Sequence, residues 1–214
     1  MKRQNGSKGD FFMNNRFSNR TVRKITLGAV LTALATVLTF IRIPTMGTTV
    51  NLVLPVIVVG AILCGPYIGA VITIIPAIAA FGEAAVFMEY SPIGTVITLI
   101  LKGILTGLVS GWLFRLLYKK HPTGAVFVSA ISAPVVNSGV FLLGCYIFLW
   151  DKLVSMAAEN SVGIGLLLFG LVGLNFILEL IINVILAPMV KRVVQIALKK
   201  KLVNFDWVNF NNEG

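Results

Sequence analysis

Five side chains stand out as chemically capable: Lys102, Asn137, Asn175, Glu179 and Asn183, each set in otherwise apolar sequence. Three of them share one segment, Ile164 to Val190, which is apolar apart from Asn175, Glu179 and Asn183. Steps of four residues stack side chains on one face of an α-helix, with a slow drift around it. A carboxylate deep in a membrane helix costs about 2.5–3.5 kcal/mol on insertion scales. That face therefore turns away from lipid, toward other helices or a wet cavity. Two chemistries fit it: hydrogen bonding between helices and contact with a polar substrate. Lys102 lies about ten residues into its own apolar segment, or about 14 Å along a helix. That depth is too great for easy snorkelling, so the ammonium needs Glu179 or a bound anion.

The elements that position these groups follow from composition. The chain has 214 residues, 57% hydrophobic and only 12% charged, with mean hydropathy +0.92. Soluble domains carry about 25% charged residues, so this is an integral membrane protein. No polar stretch is long enough for a second soluble domain. The expected division is a basic arm over 1–24, a membrane domain over 25–194 and a polar tail over 195–214.

Six apolar segments read as helices: 25–43, 50–63, 67–81, 93–118, 124–149 and 164–190. The fold class expected is all-α, a single bundle of six transmembrane helices. The second and third are short, about 21–24 Å if helical against a hydrocarbon core of about 30 Å. They make two short spans or one re-entrant hairpin around Cys64-Gly65-Pro66, with kinks expected at Pro55 and Pro76. The first segment carries Gly28, Ala29, Thr32 and Ala33, and the fourth carries Gly103, Gly107 and Gly111. Small residues at that spacing let helices approach closely. Pro134 and Asn137 interrupt the middle of the fifth segment, offering a freed carbonyl and an amide.

Charge sets the orientation. The net charge is +10, but it sits beside hydrophobic spans and marks topology rather than nucleic acid. Of 18 Lys and Arg, seven lie in the arm, three (Arg115, Lys119 and Lys120) around the end of the fourth span and five after Val190. The positive-inside rule then puts both termini in the cytoplasm. The connections 44–49, 82–92 and 150–163 face out. Arg42 stands at the outer end of the first span. The 82–92 connection is acidic and aromatic, with Glu83, Phe87, Glu89 and Tyr90. It fits an interfacial aromatic belt or a cap over a ligand. Arg42, Glu83 and Tyr90 therefore join Lys102, Asn137, Asn175 and Glu179 as candidate substrate contacts. Cys64 and Cys145 read as small buried hydrophobes, and no metal-ligand cluster or nucleophile–base pair is visible.

Taken together, the stretches GAVLTALATVLTFIRIP, CGPYIGA, SPIGTVITLILKGILTGLVSGWLF, APVVNSGVFLLG and GLNFILELIINVILAP resemble the substrate-binding (S) components of energy-coupling factor (ECF) vitamin transporters, over about residues 22–195. The resemblance implies a non-enzymatic subunit in a bacterial plasma membrane that captures a vitamin-like compound from outside. A transmembrane coupling subunit and two cytosolic ATPases would be its partners, with no cofactor of its own. It also implies that Ala29 and Ala33, with Gly28 and Thr32, form the docking face. No GxxxxGK[ST] motif occurs, so ATP is hydrolysed elsewhere. The family's riboflavin, folate, pantothenate and cobalamin carriers share one scaffold, so fold does not choose the substrate. A deep Lys102 favours an anionic group and hence pantothenate. A self-contained transporter or channel is the alternative, against which stands the lack of an internal repeat. An integral-membrane enzyme is the other.

Overall fold

The computed structural model describes residues 6–41, 50 and 52–199, without the side chains of 6–20, 83, 84 and 86. Arg42, the 44–49 connection and the tail beyond Lys199 lie outside the described residues, as does the side chain of Glu83. All the regular structure described is helical. Helix α1 is Gly6–Thr39, so the basic arm continues the first helix further than composition suggests. Then come α2 (Leu54–Cys64), α3 (Pro66–Ile72), α4 (Ile74–Ala79), a 3-10 turn Ala80–Ala84 and α5 (Ala85–Tyr90). Helices α6 (Pro92–Tyr118) and α7 (Pro122–Phe148) are long, and α8 (Trp150–Glu159) follows. The last helix runs as α9 (Ile164–Leu168), a π-turn Phe169–Gly173 and α10 (Leu174–Lys199). Among the described residues, four helices are long and apolar enough to cross a membrane: Thr21–Thr39, Pro92–Tyr118, Pro122–Phe148 and Ile164–Lys199. Leu54–Cys64 and Pro66–Gly82 are shorter apolar helices.

Proline and glycine place the boundaries. Pro66, Pro92 and Pro122 each open a helix, where the missing N–H would have no intrahelical partner anyway. Pro55 sits in the first turn of α2, so the kink expected there does not arise. Gly65 turns the chain between α2 and α3 with φ 102°, a conformation that side chains disfavour. Threonines inside α1 donate their hydroxyls one turn back, as Thr32 does to the Gly28 carbonyl at 2.8 Å. Such bonds satisfy the hydroxyl without a second helix.

The glycine ladder of α6 is an interhelical contact. A methyl added at Gly107 would stand 2.6 Å from the Ala70 nitrogen, and one at Gly111 2.7 Å from Pro66 Cα. Backbone thus packs on backbone between α6 and α3, leaving no room for a β-carbon. Gly144 of α7 makes room instead for the Thr98 side chain of α6.

Two connections expected as loops are helical. The 82–92 segment is covered by the 3-10 turn and α5, and 150–159 forms α8. Their apolar residues explain this, because Phe87 and Leu153 are buried at 8% and 1% exposure. Helix α8 is amphipathic: Leu153 and Ala157 point in, Trp150 and Val154 point out.

The apolar interior has two parts. One joins Leu31 of α1, Val58 of α2, Phe114 of α6, Ala133 of α7 and Val190 of α10. The other joins Phe87, Cys145, Leu149, Leu153, Leu171 and Val172. Along α7 the first ends at Ala133 and the second begins at Phe141, about 12 Å further on. The groups named at the outset occupy that interval.

Candidate functional site

Asn137, three residues after Pro134, points inward from the middle of α7 at 5% exposure. Glu179 comes from α10 at 1% exposure. The Asn137 Nδ2 donates to Glu179 Oε2 at 3.3 Å, linking the two helices. One turn before Glu179, the Asn175 Nδ2 donates to its other oxygen, Oε1, at 3.1 Å. One turn after it, the Asn183 Nδ2 donates to the Glu179 backbone carbonyl at 2.8 Å. The four-residue stripe is therefore a ladder centred on one carboxylate, and Asn137 ties it to α7. Charge-assisted bonds of this kind are worth about 1.5–3 kcal/mol each. They offset the penalty of holding a carboxylate away from water.

Lys102 approaches from α6. Its Nζ lies 5.3 Å from the centroid of the Phe141 ring, a cation–π contact. Phe141 is one turn beyond Asn137 on α7, and it takes Phe87 of α5 edge-on at 6.0 Å between centroids. The lysine, the aromatic pair and the amide–carboxylate ladder thus belong to adjoining levels of one bundle. The second apolar cluster covers them on the side of the 82–92 segment. Phe87 is a packed residue there, not a member of an interfacial belt.

Lys102, Asn137, Asn175 and Glu179 all fall in this region. Tyr90 does not join them, being 47% exposed on α5. Phe141 was not visible as a site residue, although its place four residues after Asn137 puts it on the same helix face. Asn183 was visible in the stripe, but only its bond to the backbone gives it a part. The π-turn had one signal, Gly170 and Gly173 within FGLVG. Such turns recur at functional sites, and this one delivers Leu171 and Val172 to the second cluster shortly before Asn175.

On α1, Ala29 and Ala33 are exposed while Gly28 is buried and Thr32 half-buried. Gly28 faces Ile68 of α3, so the four residues divide between an inward and an outward side. Cys64 and Cys145 are buried free thiols, and no group of three or more potential metal ligands occurs among the described residues.

A family model described as ECF transporter, substrate-specific component, matches residues 23–191. No curated protein and no solved structure matches the chain.

Proposed function

The chain belongs to the family of ECF transporter substrate-specific components, and from that membership we propose that it captures a vitamin-like small molecule at the level of Lys102, Asn137, Asn175 and Glu179. The protein is a membrane protein and a transporter component, in a family that is not one of enzymes. The observation that carries the site is the buried Glu179, bonded by amides from α7 and α10 between two apolar clusters. Ionisable residues inside membrane helices mark substrate and ion paths, which supports this reading.

In this reading six segments cross the membrane, with α2 and the α3–α4 stretch as two short spans and both termini in the cytoplasm. The charge count supports that sidedness. The 82–92 segment then covers the site from outside, and the lysine favours an anionic substrate such as pantothenate. Arg42 and Glu83 remain candidate contacts from the same side. Uptake requires two cytosolic ATPases and a transmembrane coupling subunit, and the coupling subunit docks on the Ala29 and Ala33 side of α1.

Mass spectrometry of the compound that copurifies with the full chain tests the capture step, and pantothenate is the expected mass. Uptake into vesicles tests the partnership. Substrate accumulation against a gradient by this subunit alone would overturn it in favour of a self-contained transporter.

A further inference from the structure

A carboxamide has a donor end and an acceptor end, and which end faces a ligand decides what that ligand must offer. The Asn175 Nδ2 is committed to Glu179 Oε1 at 3.1 Å. The Asn183 Nδ2 is committed to the Glu179 backbone carbonyl at 2.8 Å. A carboxylate and a carbonyl can only accept. Turning either amide round would set oxygen against oxygen, so the network fixes both orientations. Asn137 also gives its Nδ2 to the carboxylate. The atoms of this stripe left with no bond at all are acceptors: Asn175 Oδ1 and Asn183 Oδ1 are buried with no hydrogen-bond partner. A buried carbonyl oxygen without a donor forfeits its hydration with nothing in return, a penalty that a suitable ligand relieves.

We infer that this wall of the site reads a hydrogen-bond donor on the substrate, a hydroxyl or an amide or ring N–H, which Asn175 Oδ1 receives. Glu179 is a positioning residue: it holds the amide nitrogens so that an oxygen faces the ligand. Asn175 is the receiving group because it is half-buried beside the second cluster, whereas Asn183 is 1% exposed and two turns further along α10. An anionic end of the substrate is repelled by carboxamide oxygens, because the amide nitrogens are turned toward Glu179. It belongs on the Lys102 side. The inference rests on the substrate-capture reading above and specifies its chemistry.

The test exchanges donor and acceptor. Asn175→Asp alone places two carboxylates one turn apart in a buried setting, and it should weaken binding at least about tenfold or prevent folding. Adding Glu179→Gln restores complementarity. The new amide donates to the residue-175 carboxylate, its oxygen still accepts from Asn137, and an acceptor still faces the ligand. The probes are pantothenate, riboflavin, folate and cobalamin, titrated one at a time onto the full chain in lipid nanodiscs, with the thermal midpoint read alongside. The expected result is that the double variant folds and recovers about tenfold in affinity over the single one. A double variant that folds without recovering affinity overturns the inference, since the amide N–H would then be the ligand's contact. A double variant that fails to fold also overturns it, because the exchange preserves the pairing between residues 137, 175 and 179. Asn175→Ala binding as tightly as the native chain overturns it as well. If none of the four probes binds the native chain, the substrate-capture reading fails and takes this inference with it.

Discussion

Replacing Glu179 by leucine should destabilise the protein far more than the loss of one exposed carboxylate. The substitution keeps the bulk of the side chain, so cavity formation is a small contribution. What changes is the state of two buried amides. Asn137 Nδ2 and Asn175 Nδ2 lose their acceptors on Glu179. Each orphaned donor costs about 1–3 kcal/mol, giving about 2–6 kcal/mol for the pair. The Asn183 bond survives, because it goes to the backbone carbonyl and not to the carboxylate. Removing the whole side-chain network should behave differently. With Asn137, Asn175 and Glu179 all changed to leucine, the two amide donors leave together with their acceptor, and a buried polar cluster replaced by apolar residues is often neutral or stabilising. Most of the lost stability should return, while substrate binding should not. Unfolding by SDS titration in mixed micelles, followed by far-UV circular dichroism, measures the first effect, and ligand titration the second. A loss under about 1 kcal/mol in Glu179→Leu would refute the reasoning, since the amides would then have other acceptors. A triple variant as unstable as the single one would refute it equally.

Gly107→Leu should prevent stable folding, because its side chain would enter the Gly69–Ala70 backbone of α3, whereas Gly139→Ala, with nothing within 4 Å, should stabilise by about 0.5–1 kcal/mol; the same SDS titration compares them. Ala29→Trp and Ala33→Trp should block assembly with the coupling subunit but spare ligand binding, as read by co-purification and titration; intact assembly would remove α1 from the docking surface. Lys102→Met should keep the fold yet weaken binding by about 2–5 kcal/mol, and recovered affinity in the Lys102→Met, Glu179→Gln double variant would make the lysine a structural partner instead. Ligand saturation should slow amide exchange across 82–92, and unchanged exchange would make that segment a plain connector.

Much of the bundle was legible because membrane helices announce themselves by apolar length. The segments 93–118, 124–149 and 164–190 match α6, α7 and the last helix to within a few residues at their starts. Small residues carried contact information too: glycines in steps of four mark where α6 meets α3. The two connections that became helices were not legible by the same logic. Phe87, Leu153 and Ala157 are too few to give a span-length signal, and only the cluster they join shows which side of each helix is inward.

The site divides in the same way. Periodicity alone aligned Asn175, Glu179 and Asn183, because three residues on one helix need only the helix to be related. Placing Asn137 against Glu179 needed the packing of α7 on α10, and placing Lys102 over Phe141 needed that of α6 on α7. Amide polarity was further out of reach. An asparagine in a sequence is equally a donor and an acceptor. It becomes one or the other only when a neighbour that cannot donate fixes its nitrogen, as Glu179 does. Chemically, then, the stripe that first drew attention differs from what its composition suggests. It carries three groups able to donate or bind charge, yet its internal bonds turn the amide nitrogens toward Glu179 and leave carbonyl oxygens as the unpartnered atoms it can offer a ligand.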